Sequence, residues 1–222
     1  MVSIGHASKT ENGGIKNGKA GDQTKKEVCI RSWYSRPWNV VIRLKDKKMR
    51  EKAAQCMEWA CANDRIGYDQ NQRNTLLNAV RNLGYDPRQA KQNVETDCSA
   101  LVTLCCIYAG IPERYLVVGG NSATTSTLKS RLKASGEVEI FLTTDYTNSP
   151  KKLLRGDILL SEGHHTAIVV KEDNTTLKSI DEIALEVKAG KWGNNPQRRE
   201  ALIAAGYDYE AVKKKVNELY GK

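Results

Sequence analysis

Six cysteines and three histidines are the side chains in this chain best able to attack a carbonyl, move a proton or hold a metal. The cysteines are Cys29, Cys56, Cys61, Cys98, Cys105 and Cys106, and no two are spaced as a CxxC pair. His6, His164 and His165 lack metal-ligand spacing relative to them, so no metal and no cofactor is expected. Cys98 stands apart from the other five. It follows the polar run Glu95-Thr96-Asp97 and opens an apolar stretch in which Leu101, Leu104, Cys105, Tyr108 and Ala109 recur at helical spacing. A cysteine in the first turn of a helix meets unpaired backbone N–H groups and the positive end of the helix dipole. Both favour the thiolate, the form that attacks carbonyls, over a thiol whose ordinary pKa is about 8.5. Such a nucleophile needs a base. His165 opens the run His165 to Val170, in which His165, Ala167 and Val169 share one face and Thr166, Ile168 and Val170 the other. The small Ala167 leaves space beside the imidazole, and the helix headed by Cys98 is expected to approach there. His164 points the other way and reads as exposed.

The elements that position this pair follow from periodicity and turn signals. Residues 1 to 30 read as loops with one short strand, held on the domain because Trp33, Tyr34 and Trp38 lie close together. Pro37 to Leu44 reads as a strand. Met49, Ala53, Cys56, Met57 and Ala60 mark an amphipathic helix from Lys48 to Asn63. A second helix follows from Asn71 to Asn82, then a polar loop from Gly84 to Thr96. Gly110-Ile111-Pro112 stops the Cys98 helix. Residues 121 to 135 read as helix and Glu137 to Thr143 as strand. Gly156 to Leu160 and His165 to Val170 form a hairpin around Ser161-Glu162-Gly163. A linker at 174–178 leads to three short helices: Ile180 to Val187, Arg198 to Ala205 closed by Gly206, and a third capped by Asp208. The fold class is α+β, a domain over 1–173 followed by a three-helix bundle over 179–222.

The net charge of +9 fits attraction to nucleic acid or to any polyanionic surface, including a cell wall. The basic residues are scattered, and with one phenylalanine the chain offers no aromatic stacking platform for single strands. No apolar run approaches the about 20 residues that span a bilayer. Met1 to Asn12 lacks the apolar core of a secretory signal, so the thiols are expected to stay reduced. Cys56, Cys105 and Cys106 fall within apolar helical patterns and read as core.

Asp97-Cys98-Ser99-Ala100-Leu101-Val102, Gly156-Asp157-Ile158-Leu159 and His165-Thr166-Ala167-Ile168 resemble the NlpC-type cysteine peptidases and amidases, in a branch like that of phage endolysins. The resemblance covers roughly residues 50 to 170. It implies a papain-like fold, hydrolysis of peptidoglycan, Cys98 as nucleophile and His165 as general base. It implies Tyr68, with its neighbour Asp69, as lining for the oxyanion and substrate. The group that orients the histidine in that family is not evident after Val170. The N-terminal segment is expected to supply it through Asp22, Gln23 or Glu27, with Glu27 ranked first, unless there is none.

The last 45 or so residues resemble the Cpl-seven cell-wall-binding repeat of phage lysins. The matching residues are Asp181, Glu186-Val187, Gly190, Trp192-Gly193-Asn194, Arg198, Leu202 and Ala205 to Tyr209. The resemblance implies binding to the disaccharide-peptide unit of peptidoglycan. Arg198 would meet a carboxylate, and Trp192 and Tyr209 a sugar ring. The reading is a peptidoglycan hydrolase, made in a host cytoplasm and acting on the wall after lysis, with bacterial peptidoglycan as partner and neither nucleic acid nor membrane. Two bonds stay open: the amide joining lactyl-muramic acid to the stem peptide, and a peptide bond within the stem. The alternative is a wall-binding protein without catalysis.

Overall fold

The computed structural model describes residues 1–173, 178–205 and 207–221. The chain divides into two compact units, Met1–Asp173 and Asn174–Lys222.

The first unit runs through β1 (Ser3–Ala7), β2 (Val28–Ser32), β3 (Val40–Leu44), α1 (Lys47–Cys61), β4 (Ile66–Tyr68), α2 (Thr75–Val80), β5 (Val94–Thr96) and α3 (Cys98–Ala109). It continues with α4 (Glu113–Leu116), β6 (Val117–Val118), β7 (Asn121–Ser122), α5 (Leu128–Ala134), β8 (Val138–Phe141), α6 (Thr144–Thr147), β9 (Ile158–Ser161) and β10 (His165–Lys171). Six strands make one antiparallel sheet in the order β2-β1-β10-β9-β3-β8. The N-terminal segment therefore contributes two strands rather than one. Its β1 lies directly beside β10, with Gly5 paired to Ile168. Between the first two helices, β4 pairs in parallel with β5 at the end of the expected polar loop. The second helix is shorter than its pattern, and the stretch 121–135 is helical only from Leu128.

Alternation along β10 separates two cores. Ile168 and Val170 join α1 and α3 on one face, with Met57, Leu101 and Leu104 fully buried. Ala167 and Val169 pack on the other face with Ile4, Trp38, Val41 and Leu153. Helix α3 is buried along almost its whole length, as its near-continuous apolar sequence demands. The β9–β10 hairpin depends on Gly156, which has φ +88° and whose Cβ, if present, would lie 2.3 Å from the Arg50 carbonyl oxygen. Next to it Asp157 is fully buried and takes a bidentate pair from Arg43 at 2.7 Å. The Gly156-Asp157 motif thus anchors β9 to β3 and α1.

The second unit contains α7 (Ile180–Lys188), α8 (Gln197–Ala204) and α9 (Tyr209–Leu219), packed around Ile183, Ala184, Leu202 and Val212. Helix α7 opens on a capping box between Ser179 and Glu182, and Asp208 caps α9. Most of the expected linker, and Gly206, lie outside the described residues.

Candidate active site

Cys98 is the first residue of α3, and Asp97 is its cap, accepting the Ala100 N–H at 2.7 Å. The cap is itself held. Arg73 Nε donates to Asp97 Oδ2 at 2.5 Å, and Arg73 Nη2 donates to Ser99 Oγ at 2.8 Å and to the Ala123 carbonyl at 2.7 Å. Arg73 Nη1 donates to the Ser122 carbonyl at 3.0 Å. One guanidinium therefore ties the cap, the first turn of α3 and the loop after β7. Removing one partner of a buried ion pair costs about 3–5 kcal/mol, because the remaining charge loses its compensation. Arg73→Met is expected to lose stability of that order in chemical denaturation. Arg73→Lys should recover only part of it, since lysine has no fork. A loss below about 1 kcal/mol would mean that the network does not hold the cap.

The Cys98 thiol is 5% exposed, and burial beside the Asp97 carboxylate pushes its pKa up to about 12. The backbone N–H groups of Thr166 and Ser99, and Arg73, act in the opposite direction. Burial outweighs the helix start, which reverses the expectation of a lowered thiol. The approach of α3 to β10 also differs from the one expected. The helix packs on the Thr166, Ile168 and Val170 face, and the thiol meets the strand at the Thr166 amide, one residue from His165.

His165 is buried, and its Nε2 lies 2.9 Å from His6 Nδ1. The two rings meet edge to face at 5.2 Å between centroids, with Trp38 6.0 Å from His165. Extending the β1–β10 register by one residue sets His6 opposite Ala167, so the space expected for the helix adjoins His6 instead. Burial lowers His165 to about 3, helped by His6, Arg36 and Arg31, and lowers His6 to about 4, helped by Arg31 and Arg36. Both rings are neutral near pH 7. His6 is the residue that sequence reasoning missed. Its only signal is a histidine inside Ser3-Ile4-Gly5-His6-Ala7, a strand too short to show a period.

Glu27 is placed elsewhere. Its carboxylate accepts the Gln23 N–H at 2.9 Å and the Tyr68 N–H at 3.2 Å, so it ties the N-terminal loop to β4 rather than orienting His165. Asp22 accepts the Thr24 and Val28 N–H groups, and the Gln23 side chain donates to the Ala20 and Gly21 carbonyls. Asp69 accepts the Gly18 and Asn71 N–H groups at 3.1 and 2.6 Å and is 1% exposed. Tyr68 is buried with Cys98 among its neighbours. Burial and the neighbouring Cys98 raise its phenol, and Gln70 Nε2 donates to its hydroxyl at 3.1 Å.

Glu95, fully buried below this loop, has neither oxygen in a hydrogen bond, and burial beside Glu27 pushes it up to about 8. An acid whose folded pKa is raised binds its proton in the folded state. Stability is then lost as pH rises from the unfolded value of about 4.5 towards 8. Glu95→Gln is expected to be more stable than wild type by about 1–2 kcal/mol at pH 8 and equal at pH 4. Denaturant midpoints at the two pH values test this, and equal differences at both would refute it.

In the second unit, Arg198 and Tyr209 line one cavity of about 180 Å³ with Asn195, Leu202 and Val212. Trp192 lies apart from it, half-buried against Tyr207 at 5.8 Å between centroids, with its Nε1 donating to Glu186. Arg198 Nε donates to the Gly193 carbonyl at 2.9 Å.

Residues 4–176 match the family model described as an endolysin-like domain, and residues 181–220 match that of the CW_7 repeat. A protein named lysozyme from Streptococcus phage Cp-7 is 51% identical over 53 residues, 22% of this chain and 16% of that protein. This chain therefore spans under a fifth of the length of the curated relative it matches. No solved structure matches it.

Proposed function

We propose that this chain, which belongs to the endolysin-like domain family, hydrolyses peptidoglycan at an amide bond of the stem peptide by an NlpC-type Cys-His mechanism. The observation that carries the reading is the Cys98 thiol at a capped helix start, by the Thr166 amide that follows His165, a histidine whose Nε2 lies 2.9 Å from His6 Nδ1. With His165 Nε2–H donating to His6 Nδ1, the bare nitrogen of His165 is Nδ1. That nitrogen takes the thiol proton as the sulfur attacks the carbonyl, a step that needs the two side chains within hydrogen-bond reach in the substrate complex. The imidazolium then donates to His6 Nδ1, which keeps its lone pair because His6 stays neutral. His165 returns the proton to the leaving amine as the C–N bond breaks. Water, deprotonated by His165, splits the thioester and regenerates the thiol. Backbone N–H groups at the start of α3, and the Tyr68 hydroxyl, hold the oxyanion.

The repeat supports delivery to the bacterial wall. Arg198 and Tyr209, lining one cavity, are the groups we assign to the muropeptide there. A single copy gives modest affinity, raised by tethering to the catalytic unit. Among the described residues no helix is long and apolar enough to cross a membrane.

The test is the chemistry of the cut ends. Purified Gram-positive walls treated with the protein should gain free amino groups without gaining reducing sugar ends. Fragment masses would then name the bond. Reducing ends instead would mean glycosidic cleavage, as the name of the phage relative suggests for that protein. Sedimentation with walls and no new ends would leave a binding protein.

A further inference from the structure

A cavity of about 660 Å³ in the first unit lies away from Cys98, which is not among its lining residues. It is a groove between the turns at residues 8–13 and 24–26 and the edge strand β2, with His6 among its lining. Lys9, Lys25, Lys26 and Arg31 line it against one acid, Glu11. Lys25 is paired with Asp64 at 3.1 Å, whereas among the described residues Lys9, Lys26 and Arg31 make no ion pair. Arg31 lies over the Tyr34 ring at 4.6 Å. Two further lining groups lack partners: the Thr10 hydroxyl, on a residue 4% exposed, and Glu11 Oε2. Buried polar atoms without a partner are rare enough in folded proteins to call for an explanation. Three unpaired cations draw an anion, and a concave wall concentrates their field. The free Glu11 oxygen calls for a donor on the same ligand.

We propose that this groove binds an oxyanion of the wall polymer, a carboxylate or phosphate carried next to an N–H or O–H donor, held by Lys9, Lys26 and Arg31. The donor meets Glu11. Binding there acts on the histidine pair, because Arg31 and Arg36 already bear on both rings and an anion opposes them. An occupied groove makes it easier for His165 to accept a proton. The groove's part in the reaction rests on the function proposed above, but its affinity for an anion does not.

The test uses the full chain carrying Cys98→Ala, so binding is read without catalysis. Inorganic phosphate is titrated at constant ionic strength while the His6 and His165 ring signals are followed by NMR. A saturable shift is expected, and Lys9→Gln/Lys26→Gln should weaken it at least tenfold. Both lysines are exposed, so that variant folds. A linear shift, or the same curve in the variant, overturns the site. Competition then identifies the source. Displacement of phosphate by phosphate-free peptidoglycan fragments assigns a stem carboxylate, and displacement by poly(glycerol phosphate) a wall phosphate. Displacement by neither overturns the assignment to wall polymer. With Cys98 intact, saturating phosphate should speed iodoacetamide labelling of that residue several-fold. A normal binding curve with no labelling of Cys98 would leave the groove standing and sink the nucleophile.

Discussion

Cys98→Ala is expected to lose wall hydrolysis by about 10⁴-fold or more while folding normally and still sedimenting with walls. The reasoning is chemical. An acyl-enzyme route needs an atom that can form and release a thioester, and alanine has none. The methyl side chain fits a site already buried at the start of α3, and the Asp97 cap does not involve the sulfur. His165→Ala should fall nearly as far, because the thiol is held in its neutral form and does not ionise without a base. The contrast is with Cys56, Cys105 and Cys106, buried in the core between α1 and α3. Cys106→Ala should cost stability and leave kcat within a few-fold. Turbidity loss and fragment release, measured on matched folded protein, decide the matter. Hydrolysis persisting above about one hundredth of wild type in Cys98→Ala would remove the covalent mechanism.

What could be read from the chain beforehand depended on how much of each element's burial was written into a single segment. Helix α3 was legible to its first residue, because a polar cap, an apolar run at helical spacing and a Gly-Ile-Pro stop all lie in one stretch. The β9–β10 hairpin was legible for the same reason, with turn residues between two apolar runs. Strand β1 was not. Five residues containing a glycine carry too little pattern, and its place beside β10 is a long-range pairing between the two ends of the first unit that no local signal encodes. The partner of His165 went with it. The sequence reading looks for an orienting group among Asp22, Gln23 and Glu27, whose side chains bond to backbone groups of the N-terminal loop and of β4. The thiol's charge state was also misjudged, since local sequence shows the helix start but not the burial and the Asp97 charge that outweigh it.

The neutral resting state of thiol and imidazole gives the site an unusual dependence on pH. With Cys98 raised to about 12, the thiolate fraction grows about tenfold for each pH unit from 7 to 10. Labelling of Cys98 by iodoacetamide, followed by mass spectrometry, should therefore rise by about a thousandfold over that range with no plateau. A preformed thiolate–imidazolium pair would instead give a flat rate through neutral pH, and such a plateau would refute the neutral pair. On the acid side the histidines set a second limit. Their folded pKa values, about 3 and 4, lie below the unfolded value near 6.5, so the unfolded chain binds protons first. Their contribution to stability is complete above pH 6.5 and is lost as pH falls towards 4. The slope is about 1.4 kcal/mol per unit for each ring. Two rings over two units approach the whole stability of an ordinary domain. Activity at low pH should then end by unfolding, with circular dichroism and hydrolysis falling together. His6→Asn, which removes one titrating ring, should shift the unfolding midpoint to lower pH. Loss of hydrolysis near pH 6 with the fold intact would mean that His165 titrates as an ordinary exposed histidine.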